Sequence, residues 1–520
     1  MYITQGLHRH LQSRPDAVAI CAEGRTLTYS QYGDRVARLA GALKDLGVES
    51  NDRVAMLAFN CQRYIEYFLA VPWADGVLNP VNFRWSAAEI IYSLDDSQTT
   101  ILIVDDHHKA LGARILEEAK TLRLVIYAGG GETPQGMLDY EALIAASQPL
   151  EDARRGGDQL LGIFYTGGTT GFPKGVMLSH NNISFTVMNA LMHGRCAANA
   201  VFLHSMPMFH LADFTATVAL FFSGGTHVVL PSFTAKGALE AIDRHRVTEI
   251  LLAPTMIQML LDGHQNQGQA LDVGSLQRIC YGASSITPAL LDRARGVFFN
   301  AGFTQNYGMT ELAPTATTLG VQYHTAEGQA SGKMYSAGLP AACVEVRIVD
   351  DQDNEVPRGT VGEIIVRGPN VMLGYWKKPE ATAEALRGGW MHTGDGGYMD
   401  EDGFVYVCDR LKDMVVSGGE NIYSAEVETA IASHPAVAQS AVIGIPCQKW
   451  GETVHAVIIL KPGYSARGED IITHCRQFIA GYKVPRSIEF REALPLTSVG
   501  KVLKTELRKP FWENQSRGIA

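Results

Sequence analysis

The sequence predicts an α/β protein: a large N-terminal domain of parallel-rich αβ sheets with a β-rich subdomain, then a small α+β C-terminal domain. Three observations carry this. The chain has 520 residues, more than one core usually supports, so two or more domains are expected. Short β-rich runs alternate with helical periodicity through residues 52–127 and again through 200–306, as in parallel sheets covered by helices. Beyond Gly338 the texture shifts to short strands and turns, and it changes once more at residues 411–413.

Taken in order, Thr28-Tyr-Ser30 reads as a helix start. Tyr32, Val36, Leu39, Ala40, Leu43 and Leu46 then recur at helical spacing until Gly47 ends the run. Residues 52–58 read as a strand, 64–74 as a helix and 77–81 as a strand, with further strands at 99–105 and 123–127. In the next stretch the strand candidates are 226–230, 249–253 and 277–281. Residues 344–349 and 362–367 supply short strands of the β-rich part. A boundary at 411–413 divides the chain into 1–410 and 411–520, and the second piece suffices for a small independent unit.

Composition narrows the function classes. With 46% hydrophobic and 19% charged residues the chain is an ordinary globular one. A net charge of −10 argues against binding nucleic acid or an anionic membrane, so an anionic substrate needs local basic groups. The eight cysteines are scattered without a Cys-x-x-Cys, as expected of reduced core thiols in a cytoplasmic protein. The N-terminus lacks an apolar signal core, and the run 211–223 is too short to span a bilayer.

The densest chemical signal is Tyr165-Thr-Gly-Gly-Thr-Thr-Gly-Phe-Pro-Lys-Gly175, with four glycines, three threonines and a lysine in eleven residues. It follows the strand-like run 160–164, and a helix is expected to resume near Ser179. Such a loop offers backbone N–H groups, hydroxyls and one cation, which suits a polyphosphate. Read alone it is equally a flexible turn, and it lacks Walker A spacing.

Further motifs follow in order: Asn306-Tyr-Gly-Met-Thr-Glu311, Trp390-Met-His-Thr-Gly-Asp395, Asp409-Arg410 and Gly500-Lys501. Arg367-Gly-Pro-Asn-Val-Met-Leu-Gly-Tyr-Trp376 and Trp450-Gly-Glu452 accompany them. Together they closely resemble the AMP-forming adenylating superfamily of acyl-CoA synthetases, adenylation domains and firefly luciferase, over nearly the whole chain. The resemblance implies a large domain that binds ATP and an organic acid, and a small mobile domain that acts as a lid. It implies two reactions: carboxylate and ATP form an acyl-adenylate and pyrophosphate, then a thiol displaces AMP.

Residue by residue, the resemblance makes Lys501 the cation that bridges the acyl carboxylate and the α-phosphate. It makes Glu311 the Mg2+ ligand with Thr166 or Thr170 nearby. Thr166, Gly167, Gly168, Thr169, Thr170, Gly171 and Lys174 become the phosphate loop. Tyr307 stacks on adenine within Asn306, Gly308, Met309 and Thr310, with the Asn306 backbone or side chain at the base's polar edge. Asp395 and Arg410 take the ribose and its phosphate, and Lys412 is the hinge. Ser417, Gly418 and Gly419 line the pantetheine tunnel, while Trp450, Arg486 and Arg84 are candidates for the CoA nucleotide. The context of Lys501 also resembles a target of regulatory lysine acyltransferases.

The acid is expected against Phe209, His210, Leu211, Phe214, Ala283, Met309 and Ala313, with His210 gating access. These apolar or small side chains favour a hydrophobic acid, medium-chain fatty or aryl of benzoate or cinnamate type. Expected partners are therefore a carboxylic acid, ATP, Mg2+ and CoA. A carrier protein in place of CoA, a homodimer and a non-catalytic nucleotide-binding regulator stay open. Read alone, Glu311 is also a helix N-terminal charge, Tyr307 a packed core aromatic and His210 a helix cap.

Overall fold

Thr28 starts the helix Tyr29–Asp45 by a reciprocal cap. Its hydroxyl accepts from the Gln31 N–H at 3.2 Å, and the Gln31 side chain accepts from the Thr28 N–H at 2.9 Å. The computed structural model describes residues 1–513 except 23, 167–172, 267–270, 284–285, 419 and 497–501. The chain divides into two compact units. One comprises Met1–Met334, Gly338–Glu345 and Val366–Met391; the other comprises Tyr335–Ala337, Val346–Ile365 and His392–Ala520. The boundary expected at 411–413 falls inside the second unit, where Leu411–Asp413 forms a short 3-10 helix.

In the first unit the strand runs read from the sequence form two sheets. Arg53–Leu57 lies between Val77–Pro80 and Thr99–Val104, all parallel, with Leu124–Tyr127 beyond. Leu160–Thr166 joins the Val77–Pro80 side, and Lys174–Ser179 pairs antiparallel with it. The helix expected to resume near Ser179 is His180–Met192, capped by the Ser179 side chain; the strand Lys174–Ser179 just before it was not expected. In the second sheet, Thr226–Val229, Val201–His204, Glu249–Leu252, Arg278–Gly282 and Gly302–Tyr307 are parallel neighbours. Both faces of these strands are covered, and residues such as Leu203, Ile250, Ile279 and Phe303 share a buried core with Ile242, Leu260 and Leu291 of the helices.

The second unit contains the antiparallel hairpin of Met391–Met399 and Val405–Arg410. Its C-terminal part is built on Val437–Cys447 and Gly451–Leu460, with Ser487–Phe490 parallel to the latter. Val415, Ile422, Ile431, Val442, Val454 and Ile471 form its core, and Leu507 attaches the last helix, Lys504–Trp512, beside Ile443 and Val457.

All eight cysteines are free. Burial pushes the Cys196 and Cys280 thiols above their ordinary range, and those of Cys408 and Cys475 up to about 11. Among the described residues no helix is long and apolar enough to cross a membrane.

Two buried imidazoles set an acid limit on stability. His180 accepts the Ile3 N–H at 3.4 Å, and burial lowers its pKa to about 3. His324 contacts the Tyr281 hydroxyl at 2.9 Å and the Gly320 carbonyl at 3.0 Å, and burial lowers its pKa to about 4. Unfolded, both protonate near the ordinary 6.5, so below that pH the unfolded chain binds more protons. Stability therefore falls as pH drops from 6.5 toward 4, by about 2 kcal/mol per imidazole at pH 5. Denaturant midpoints at pH 7 and pH 5 measure this, and His324→Gln should remove its share of the difference.

Candidate active site

Strand pairing positions the two ends of the candidate phosphate loop. Thr166 ends one arm of the hairpin and stands opposite Lys174, the first residue of the other. Gly167, Gly168, Thr169, Thr170 and Gly171 lie outside the described residues. The short strand Gly374–Tyr375 pairs antiparallel with Lys174–Ser179, Tyr375 opposite Val176. This register puts the Tyr375 ring 5.0 Å from the Lys174 ammonium and lets its hydroxyl donate to Glu311 Oε1 at 2.9 Å. The loop lysine and the candidate metal carboxylate thus share one aromatic side chain.

Glu311 is buried in the 3-10 helix Thr310–Leu312, and the string 367–376 is its bracket. The Met372 N–H donates to the Glu311 carbonyl at 2.9 Å. Asn370 donates to the carbonyls of Leu312 and Thr315 at 3.2 and 2.8 Å, and Asn182 holds the carbonyls of Pro369 and Val371 at 2.8 Å. Gly308 is required by space, because a Cβ there would lie 2.1 Å from the Pro314 carbonyl oxygen. The Glu311 carboxylate and the Thr166 hydroxyl are hard oxygen donors, a type that fits Mg2+.

Tyr307 is the last residue of Gly302–Tyr307 and is half-buried, as are Gly308, Met309 and Thr310. Oriented to satisfy both ends of its amide, Asn306 accepts from Arg195 Nη1 at 2.6 Å and donates to Gln305 O and Thr318 Oγ1 at 3.2 and 3.1 Å. Its side chain is thereby engaged within the protein. Ala283 and Ala313, at φ 70° and 55°, hold left-handed backbone at the ends of two site segments, a conformation costing a non-glycine residue about 1–3 kcal/mol.

On the candidate acid side, His210 stands at the N-cap of the helix Leu211–Ser223, its ring tilted against Phe209 with centroids 4.3 Å apart. Phe209 and Leu211 are buried, and Phe214 is fully buried between Phe68 and Phe164. Phe209 meets Phe83 edge to face at 5.1 Å, and Phe83 meets Phe59 likewise at 4.8 Å. Arg84 lies over Phe83 at 5.3 Å.

In the second unit, Asp395 and Arg410 are cross-strand partners, with Arg410 Nε 2.7 Å from Asp395 Oδ1. Arg410 also donates to the Thr393 carbonyl at 3.3 Å, so a buried acid and its cation are oriented together. Lys412 sits in the 3-10 helix that follows. Its carbonyl accepts from Arg508 Nη1 at 3.0 Å, while Arg508 Nη2 pairs with Asp413. Burial first, then Arg410, lower the Lys412 pKa. Lys501 lies outside the described residues, but the helix after it is anchored by the half-buried Lys504–Glu428 pair at 2.7 Å and by Arg508.

Ser417, Gly418, Trp450 and Arg486 come together in the same unit, and Gly419 is outside the described residues. The Gly418 N–H donates to the Trp450 carbonyl at 2.8 Å. Gly418 has φ 64°, and a Cβ there would lie 2.7 Å from the Trp450 ring, so both backbone and space call for glycine. Lys449 and Arg486 flank the half-exposed indole at 4.7 and 5.7 Å, giving an aromatic face with two cations.

Residues 7–376 match the AMP-binding enzyme family and residues 426–501 match the AMP-binding enzyme C-terminal domain. The chain belongs to the AMP-binding enzymes. It is 39% identical to a feruloyl-CoA synthase of Amycolatopsis sp over 97% of this chain and 98% of that protein. It is 34% identical to the indoleacetate–CoA ligase of Aromatoleum aromaticum, covering 98% of each. Among solved structures it is similar to the amide bond synthetase McbA of Marinactinospora thermotolerans, with TM-score 0.87, 30% identity and 98% and 100% of the two chains covered.

This AMP-binding enzyme is an ATP-dependent, AMP-forming acyl-CoA ligase that uses ATP, Mg2+ and CoA. A carboxylate is a poor electrophile, and joining it to AMP supplies a leaving group that a thiol then displaces. The difficulty lies in bringing an anion to a polyphosphate, which demands positive charge and donors placed beforehand. When bound, Mg2+ supplies part of that charge. Sequence reasoning had passed over Tyr375, Arg195 and Arg508. The only signal for Tyr375 was its place in the string 367–376, and for the two arginines there was none.

Proposed function

We propose that the enzyme activates an aryl carboxylic acid of benzoate or cinnamate type and transfers it to CoA. The observation that supports this reading is the row of aromatic rings running from His210, tilted against Phe209, through the edge-to-face pairs Phe209–Phe83 and Phe83–Phe59, a wall suited to a planar acid. Relatives named as feruloyl-CoA synthase and indoleacetate–CoA ligase accord with it. In this reading Lys501 bridges the acyl carboxylate and α-phosphate, Glu311 and Thr166 hold Mg2+, and Tyr307 covers adenine. Asp395 accepts the ribose hydroxyls, Arg410 steadies it, and Lys412 is the hinge. Trp450, Lys449 and Arg486 receive the CoA nucleotide.

The test is an ATP- and CoA-dependent screen of fatty and aryl acids, read by mass spectrometry of the thioester. Aryl acids should exceed medium-chain fatty acids in kcat/KM by tenfold or more, about 1.4 kcal/mol of discrimination. A preference for octanoate or decanoate would overturn the aryl reading while leaving the ligase chemistry intact. Running the same acids with a phosphopantetheinylated carrier protein separates the two thiol acceptors.

A further inference from the structure

Residues 205–210 connect the strand Val201–His204 to the helix Leu211–Ser223 and present Phe209 and His210. We propose that Asn60, His204 and Asp213 form a buried polar clamp that positions this loop, so that acid selection depends on side chains which never touch the acid. The inference rests on the placement of Phe209 and His210 against the acid given above.

The clamp acts at the start, middle and end of the loop. His204 is the last residue of its strand and Asp213 the third of the helix. His204 Nδ1 lies 2.8 Å from Asp213 Oδ1, and both side chains are fully buried. That contact staples the two ends of the loop to each other. His204 Nε2 meets His227 Nδ1 at 3.0 Å on the neighbouring strand Thr226–Val229, which fixes the imidazole plane from the opposite side. Asn60 follows Arg53–Leu57 of the other sheet and is itself buried. Its amide nitrogen donates toward the carbonyls of Met206, Leu230 and His204 at 2.8, 3.2 and 3.4 Å, and its oxygen accepts from the Met208 N–H at 2.8 Å. Its own N–H donates to the Pro231 carbonyl at 3.2 Å.

The loop is thus tied to both sheets of the first unit by groups removed from water, where the alternative to each bond is an unpaired polar atom. Asp213 also sits in the first turn of the helix whose N-cap residue is His210, with its N–H donating to the His210 carbonyl at 3.1 Å. Any shift of Asp213 therefore reaches the His210 backbone directly. Displacements of about 1 Å at a reacting group lower rates by roughly a hundredfold, which sets the scale of the expected effect.

The experiment measures KM for acid and for ATP by pyrophosphate exchange in full-length Asp213→Asn, Asn60→Asp and Phe209→Ala. The first two keep side-chain shape while removing the staple's charge or the clamp's donors. Acid KM should rise about 10- to 100-fold in both, while ATP KM stays near wild type. The acid preference profile should broaden. Acid KM unchanged in either folded variant, or acid and ATP KM rising by one common factor, overturns the proposal. Should a variant fail to fold, wild-type protein still decides. The Met208 amide must exchange hydrogen as slowly as core strand amides, and exchange at exposed-loop rates overturns the clamp. Phe209→Ala guards the premise: an acid KM unaffected by that change refutes the acyl-site placement instead.

Discussion

Lys501→Ala lowers acyl-adenylate formation by roughly a hundred- to a thousandfold, the usual loss when one preorganised charge partner is removed from a developing anion. Thioester formation from supplied acyl-AMP stays near wild type, because the carboxylate–phosphate repulsion has already been overcome in that substrate. The helix that begins at Lys504 is held in place by the Lys504–Glu428 pair, the Arg508 contacts at residues 412–413 and the Leu507 packing, so truncating Lys501 leaves its anchor intact. Pyrophosphate exchange and acyl-AMP consumption, measured on the same preparation, separate the two steps. Equal loss in both would remove Lys501 from the role proposed for it.

Glu311→Gln should be nearly as damaging to adenylation, again by about a hundredfold or more, and should raise the Mg2+ concentration needed for half-maximal rate. Glutamine retains an oxygen for the Tyr375 hydroxyl, so the substitution isolates the charge. Tyr375→Phe does the reverse, keeping the carboxylate while removing the 2.9 Å bond that orients it. Its effect should be smaller, about tenfold, in line with one hydrogen bond to a charged group. If Tyr375→Phe proves as harmful as Glu311→Gln, the tyrosine does more than orient. If Glu311→Gln leaves the Mg2+ requirement unchanged, the carboxylate serves the 3-10 helix rather than the metal.

How far the sequence could be read depended on sequence distance. The helix Tyr29–Asp45 and strands such as Arg53–Leu57 and Glu249–Leu252 were visible because a cap and an apolar run lie within a few residues of one another. The strand Lys174–Ser179 was missed because glycines preceding it suggest irregular chain, and its partner Leu160–Thr166 supplies the pairing. The motif residues themselves stood out, but their supports did not. Tyr375 is 64 residues from Glu311, and Asn60 is 146 from Met206, so only the fold reveals that they touch. Polar residues inside apolar runs, such as His204 in Val-Phe-Leu-His and Asp213 in Leu-Ala-Asp-Phe, were the available hint. A histidine on a strand end has many other uses.

The raised thiol pKa values have a chemoselective consequence. An acyl-adenylate is an acylating agent, and thiolates are the nucleophiles that attack it. With a pKa of about 11, Cys408 is ionised to roughly one part in three thousand at pH 7.5, and the interior Cys196 and Cys280 are pushed upward by the same burial. A free thiol of ordinary acidity is far richer in thiolate at that pH. These buried thiols are therefore poor acceptors for an activated acid, and the incoming cosubstrate is preferred over them.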